Sequence, residues 1–190
     1  MTVVAPPFRT LQEIQNAVDA LRTVYQILQE TPIDCEAFAE LDLEIEIIPA
    51  KGLRERVDAD AFITRDFKSI LIDDEYFTNP KMRTRNNFSI AHELGHLFLH
   101  KEYFEAMCPG DSDEEWMDFM LDMDDATHVR LEWQANTFAS LLLMPRASVI
   151  GFLKNPPVTL IGMGRAFGVS PKAVEKRLGM DDVRQDIGIN

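Results

Sequence analysis

The stretch SIAHELGHLFLH, from Ser89 to His100, constrains this 190-residue chain more than any other feature. It places three of the four histidines of the chain at four-residue intervals within a mostly apolar segment. Residues four apart lie one above the other on an α-helix, so His92 and His96 point in the same direction. The segment is therefore predicted to be a buried helix that presents two imidazoles side by side.

Two imidazoles in this arrangement supply two corners of a tetrahedral zinc site. Glu93 points to the side of the pair, where its carboxylate can reach a metal-bound water and act as a general base. A chance match is the alternative, but three buried histidines on one face are hard to satisfy without a metal. Gly95 lowers helix stability by roughly 1 kcal/mol relative to alanine, which predicts a close approach by a neighbouring backbone.

The third histidine of the stretch has a different predicted role. A straight helix separates His100 from His92 by about 12 Å, which is too far for both to bind one ion. His100 is therefore expected to pack in the core or to support a ligand by hydrogen bonding, with direct metal binding as the less favoured alternative.

A catalytic zinc site uses three protein ligands and keeps one position for water, so a further ligand must come from another segment. The residues leave four alternatives: His128, Cys108, the acidic segment 102–125 and Glu132. Glu132 is modestly favoured because it opens LEWQANTFASLLLMP, a predicted helix with an apolar face. Asn136 lies one turn later, where it can orient a ligand by hydrogen bonding.

The segment from Glu102 to Asp125 contains ten acidic residues and no basic one, and it is called the acidic insert below. Because its carboxylates repel one another, much of residues 107–125 is predicted to be mobile or loosely helical. The acidic insert could serve as a lid or as a surface for a basic DNA-binding partner. The net charge of the chain, −13, argues against a large phosphate-binding surface, so direct nucleic-acid binding is expected to be weak at best.

Hydrophobic periodicity divides the rest of the chain into helices and strands. A helix is predicted over 11–29, strands over 41–48, 61–64 and 69–73, a polar linker over 78–87, and a helix over 129–144 that Pro145 ends. Two short helices, 160–167 and 171–178, flank a turn in the manner of a helix-turn-helix. The expected fold class is α+β.

Sequence features that direct proteins to membranes or to oxidising compartments are not found. No apolar run approaches the roughly 20 residues that span a bilayer, and MTVVAPPFRT lacks the layout of a secretory signal. Cys35 and Cys108 are far apart and do not make a disulfide framework. We expect a cytoplasmic protein without a membrane span.

Two blocks, FSIAHELGHLFLH and the later E-x-x-A-N-x-F-A-x-x-L-L-M-P, closely resemble the ImmA/IrrE family of metallo-endopeptidases. The resemblance extends from about Leu41 to Pro145. It implies a zincin-like domain with a small twisted β-sheet, an active-site helix, a glutamate-bearing helix and a C-terminal helix-turn-helix-like hairpin. Residues 1–150 would form this domain, including the N-terminal helix and the acidic insert, and residues 151–190 a helical appendage.

The resemblance also implies a site and an activity. His92, His96 and Glu132 would bind Zn²⁺, and Glu93 would activate the water. The expected function is a zinc-dependent endopeptidase that hydrolyses a peptide bond in a protein substrate, a helix-turn-helix transcriptional repressor. The alternative is a catalytically idle, zinc-containing regulatory module that partners a repressor or toxin and mimics nucleic acid with its acidic insert.

Further roles follow from position along the chain. Tyr103 and His128 are the nearest candidates for steadying the oxyanion of a tetrahedral intermediate. A Cys108 thiolate could occupy the open position on zinc and silence the enzyme, or Cys108 is a loop residue without a role. The substrate is expected to lie extended along a sheet edge formed by Ser69–Asp73. The appendage either contacts DNA or repressor, or closes the domain as a packed hairpin.

Overall fold

The computed structural model describes residues 8–27, 31–108, 110 and 112–187, with side chains up to residue 184. Helices and a small sheet alternate in the first half of the chain, and helices alone follow. In chain order the elements are α1 Leu11–Val24, α2 Cys35–Ala37, β1 Glu46–Ala50, α3 Leu53–Val57, β2 Ala61–Ile63, β3 Ser69–Asp73, α4 Asp74–Thr78, α5 Arg83–Met107, α6 Asp113–Leu121, α7 Asp125–Leu143, α8 Arg146–Leu153, α9 Leu160–Phe167, α10 Pro171–Leu178 and α11 Asp181–Ile187. The α+β fold class is confirmed.

The sheet has the strand order β1-β3-β2, with β1 parallel and β2 antiparallel to β3. The hairpin of β2 and β3 confirms two predicted strands. The prediction that Ser69–Asp73 forms an exposed edge is wrong, because β3 is the central strand and hydrogen-bonds to a neighbour on each side. The edge strand that packs against α5 is β2.

The strand predicted over 41–48 is also wrong in its first half. Asp34 caps α2, and the helical path continues through a π-helical turn, Phe38–Asp42. Leu41 is 80% exposed, so the alternation of buried and exposed residues expected of a strand does not begin at this residue. Glu44 has a left-handed φ of 56°, which breaks the path before β1 begins.

The first helix begins as predicted and ends earlier. Thr10 and Glu13 form a capping box at its start. It ends at Val24, and Gln26 has a left-handed φ of 58° that a continuing helix does not accommodate. Residues 28 and 29, the end of the predicted helix, lie outside the described residues.

Helices α5 and α7 pack along each other and form the framework of the molecule. Helix α5 is 25 residues long, so most of the segment predicted as a polar linker belongs to α5 or to a 3₁₀ turn, Pro80–Met82. A Cβ added at Gly95 would lie 3.0 Å from the Cα of Ala135. The predicted close approach of a neighbouring backbone is therefore confirmed, and the neighbour is α7.

The acidic insert contains helix α6, which is seated on the body of the protein. Ser112 and Glu115 form a capping box at its start, and the side chain of Trp116 is fully buried. The sequence predicts a mobile or loosely helical segment. The structure shows a regular helix over Asp113–Leu121, with exposed carboxylates on its outer face and an apolar face packed inward.

The C-terminal helices α9 and α10 have the predicted bounds, and α8 and α11 are additional. The buried apolar side chains form one cluster that extends from α1 to α11. Among the described residues, no single helix is long and apolar enough to cross a membrane. Helices α7 and α8 reach that length and apolarity only when taken together, and they are bent by 57° at their junction.

Candidate metal centre

Three side chains from α5 and α7 converge at one end of a cleft. His92 Nε2 lies 3.0 Å from His96 Nε2, and His96 Nε2 lies 3.1 Å from Glu132 Oε1. The other carboxylate oxygen of Glu132 lies 3.3 Å from His92 Nε2. The helical spacing of the histidines and the close packing of α5 on α7 produce this convergence. Within the described part of the chain, these residues form the one group that could hold a metal ion.

The residues present fit a zinc ion. Two imidazole nitrogens and a carboxylate oxygen are a common donor set for catalytic zinc. With bonds of about 2.0–2.2 Å, three corners of a tetrahedron lie about 3.3–3.6 Å apart, and here one ligand atom from each of the three residues lies within 4.8 Å of the other two. The group therefore needs only a small adjustment to hold the ion.

The electrostatics of this group favour a cation. Burial disfavours the charged form of His92, but the neighbouring carboxylates outweigh burial and raise the pKa of His92. Burial likewise disfavours the charged form of Glu132, yet hydrogen bonds from His92 and His96 outweigh it and lower the pKa of Glu132 strongly. Glu132 therefore stays a carboxylate, which a metal ion would neutralise.

Glu93 lies beside this group and is buried at 7% exposure. Its Oε2 accepts a hydrogen bond of 3.0 Å from the backbone N–H of Ile63 on strand β2. Burial raises the pKa of Glu93 above its usual value, against the influence of both histidines. The edge strand thus fixes one carboxylate oxygen and leaves the other available to a reacting group.

His100 is fully buried and stands behind His96, away from the metal-holding group. Its Nδ1 lies 3.1 Å from Nδ1 of His96. Burial, followed by repulsion from His96, lowers the pKa of His100 to about 2, so this imidazole is neutral. The side chain of Gln134 on α7 also interacts with His100. His100 is therefore placed to orient His96.

Asn136 lies one turn beyond Glu132, and the structure brings it close to the centre. Its Nδ2 donates a hydrogen bond of 2.8 Å to the backbone carbonyl of Glu132. The side chain of Asn136 also interacts with His92. It therefore contacts one metal-holding residue directly and the backbone of another.

The remaining candidates fall into two groups. His128 lines the cleft, whereas Tyr103 does not, because its ring is buried against Phe104 further along α5. Cys108 is also buried away from the cleft lining, and its thiol donates a hydrogen bond to the carbonyl of Gly110. Of these three, only His128 shares the cleft with Glu132.

Sequence reasoning missed three contributors to the site: the Ile63 amide, Gln134 and the inner face of α6. The Ile63 and Gln134 contacts depend on tertiary packing and leave no local signal. Helix α6 does leave one: the S-x-x-E box at Ser112 precedes apolar residues at Trp116, Met117 and Met120, which is helical spacing.

Comparisons with known proteins agree with this architecture. A family model, Peptidase M78, described as the IrrE N-terminal-like domain, matches residues 42–179. No curated protein matches at a significant level. A solved structure of a Mycobacterium tuberculosis transcriptional regulator is similar at a TM-score of 0.58 and 17% identity, over 89% of this chain.

The chain spans only 47% of that regulator, and at this identity the likeness concerns the fold alone. The family model is stronger evidence of relationship, because it matches most of the chain, including both helices of the metal centre. The chain belongs to the Peptidase M78 family and contains its IrrE N-terminal-like, metallopeptidase-type domain.

Proposed function

We propose that this chain is a zinc-dependent endopeptidase that hydrolyses a peptide bond in a protein substrate, a helix-turn-helix transcriptional repressor. The observation that carries the proposal is the convergence of His92, His96 and Glu132 beside the buried carboxylate of Glu93. Membership of a peptidase family supports the reaction class. The repressor as substrate follows from the resemblance to the ImmA/IrrE endopeptidases.

The chemistry divides between the ion and the chain. His92, His96 and Glu132 would hold zinc, which would supply a Lewis acid for the scissile carbonyl and for the attacking water. Glu93 takes a proton from the attacking water and passes it to the leaving amine. The Ile63 N–H keeps the Glu93 carboxylate in place for this transfer.

Strand β2 offers the substrate a short stretch of backbone. Thr64 N–H donates to Ser69, and Asp60 C=O accepts from Asp73, so the polar groups of Ala61 and Ile63 face away from β3. Those of Ile63 are already bonded to Glu93 and Trp116. An extended substrate would therefore hydrogen-bond at Ala61.

A second candidate function has its own supporting observation. The outer face of α6 exposes a row of carboxylates, Asp113, Glu114 and Asp118, and Asp122 follows the helix. Such a row suits a basic DNA-binding surface, as a nucleic-acid mimic would. In that case, the chain is a catalytically idle, zinc-containing module that binds a repressor or toxin.

A Glu93→Gln variant separates the two functions. The wild-type and variant proteins, each loaded with zinc, are incubated with purified helix-turn-helix repressors from the same genome, and fragments are identified by mass spectrometry. The expected result is cleavage by the wild type and a loss of at least about 100-fold in the variant, because general-base catalysis contributes about 10²–10⁴-fold.

Glu102→Gln is the matched control, since Glu102 is an exposed glutamate on the same helix, and it should cleave normally. Removal of zinc with a chelator should stop cleavage, and added zinc should restore it. Equal binding of the partner by wild type and Glu93→Gln, without cleavage by either, would establish the idle module instead.

A further inference from the structure

The cleft beside the metal centre has an apolar wall that the acidic insert supplies. The cleft has a volume of about 390 Å³, and the metal-holding residues and Glu93 lie along it. Its apolar lining from α6 and the residues that follow consists of Trp116, Met117, Met120, Leu121 and Met123. Phe62 of the edge strand and Phe104 of α5 contribute to this lining. An apolar surface thus lies beside the group that would hold the ion.

The wall is fixed to the body of the protein. The indole N–H of Trp116 donates a hydrogen bond of 2.8 Å to the carbonyl of Ile63 on β2. The Trp116 ring packs edge-on against Phe104 at 4.8 Å between centroids. The start of α6 is held as well, because Asp113 accepts a hydrogen bond from the backbone N–H of Arg65. The position of α6 is therefore set by contacts with β2 and α5.

The methionines face inward while the charges of the helix face outward. Met117, Met120 and Met123 are half-buried and pack against the core, whereas Asp113 and Asp118 are exposed. A thioether side chain is flexible and polarizable, so a methionine-lined surface adapts to several apolar shapes. Such a wall favours large apolar side chains as a class rather than one particular residue.

We propose that Met117, Met120 and Met123 form a specificity subsite that takes one large aliphatic or aromatic side chain from a substrate residue next to the scissile bond. This inference rests on the proposed endopeptidase function and names the class of bond cleaved. The cleft volume lies at the low end of the about 300–1,000 Å³ of ligand pockets, which suits one side chain with its adjoining backbone. The insert thereby selects the substrate as well as carrying charge.

Binding of amino-acid hydroxamates to the zinc-loaded protein tests the subsite without requiring cleavage. A hydroxamate chelates zinc, and its side chain probes the surface next to the ion. Isothermal titration compares the hydroxamates of glycine, alanine, leucine and phenylalanine. We expect the leucine and phenylalanine compounds to bind at least about tenfold more tightly than the glycine compound, since one methylene in an apolar pocket changes discrimination by about 10–200-fold.

Two variants locate the effect on the insert. In Met117→Ser/Met120→Ser, the preference for large side chains should shrink to about threefold or less. The matched control Met107→Ser replaces a half-buried methionine outside the cleft lining, and it should keep the wild-type preference. Circular dichroism and zinc content establish that each variant is folded and loaded.

The outcomes separate the subsite from the function. Equal affinity of the wild-type protein for all four compounds, or no binding by zinc-loaded protein, would overturn the subsite even if a repressor is cleaved. A steep preference without cleavage of any repressor would contradict the endopeptidase and leave only an apolar binding surface at Met117 and Met120. An unchanged preference in Met117→Ser/Met120→Ser would show that α6 does not provide it.

Discussion

At the scale of single residues, the candidate metal centre depends on side chains that fix one another. His96 offers Nε2 to the centre, so its proton belongs on Nδ1, which then donates to Nδ1 of His100. His100 remains neutral because burial lowers its pKa to about 2. The side chain of Gln134 also interacts with His100. This row of three residues sets the ring orientation of one expected ligand.

Replacing His100 by alanine should weaken zinc binding by about 10–100-fold, because hydrogen-bonded partners of metal ligands typically contribute that much. His96→Ala removes an expected ligand and should therefore weaken zinc binding more than His100→Ala does. Competition with a chromophoric chelator measures both affinities. His128→Ala is the matched control, since His128 lines the cleft outside the metal-holding group and should keep wild-type affinity. Wild-type affinity in His100→Ala would contradict the positioning role.

At the scale of elements, the sequence predicts the histidine block, the glutamate helix and the α9–α10 hairpin because each has a strong local signal. The spacing of His92 and His96 fixes their common direction on any helix. Pro145 follows the end of α7 as predicted, and Ser170 caps the start of α10. The low helix propensity of glycine predicts a close approach by another backbone at Gly95, although only the structure identifies α7 as the neighbour.

Sequence reasoning fails where tertiary pairing decides the outcome. Strand order depends on contacts between distant segments, so the hairpin of β2 and β3 gives no indication that β1 pairs with β3 and leaves β2 at the edge. The alternation over 41–48 predicts a strand, but the Asp34 cap and a buried Phe38 favour a helical turn first. In the acidic insert, the prediction follows from charge repulsion alone and does not take account of the helical spacing of the apolar residues of α6.

The attachment of α6 to the sheet edge yields a stability prediction. Trp116→Phe keeps most of the ring packing but leaves the Ile63 carbonyl without its hydrogen-bond donor. An unsatisfied buried group costs about 1–3 kcal/mol of unfolding free energy. For a chain of this size, the melting temperature should fall by about 2–4 °C per kcal/mol.

Trp133→Phe is the matched control for this prediction. Trp133 is 46% exposed, and surface substitutions usually change the unfolding free energy by less than about 0.5 kcal/mol. Differential scanning calorimetry compares the two variants with the wild type. Equal melting temperatures for all three proteins would show that the Trp116 hydrogen bond does not hold α6 in place.

At the scale of the whole molecule, two buried arginines join the ends of the chain to the glutamate helix. Arg22 of α1 donates a hydrogen bond of 2.7 Å to the carbonyl of Leu142. Arg177 of α10 donates one of 2.9 Å to the carbonyl of Met144. Both carbonyls belong to the C-terminal end of α7, where helix carbonyls lack partners within the helix. This arrangement favours the closing role for the C-terminal hairpin.

Arg177 also forms a bidentate ion pair with Asp182, with both nitrogen–oxygen distances at 2.7 Å. Arg177→Ala would remove the cap on Met144 and leave the Asp182 carboxylate, which is 16% exposed, without its partner. Breaking a buried ion pair costs about 3–5 kcal/mol. The urea midpoint of Arg177→Ala should therefore fall clearly below that of the wild type.

The same experiment tests whether the hairpin and the metal centre unfold together. Because one apolar cluster extends from α1 to α11, tryptophan fluorescence and far-ultraviolet circular dichroism should report a single transition with the same midpoint. Arg165→Ala, which removes an exposed arginine on α9, should leave that midpoint unchanged. An early circular-dichroism transition in Arg177→Ala, before any change in fluorescence, would instead reveal a hairpin that unfolds alone. The closing role would then be wrong, and residues 151–190 would behave as an appendage.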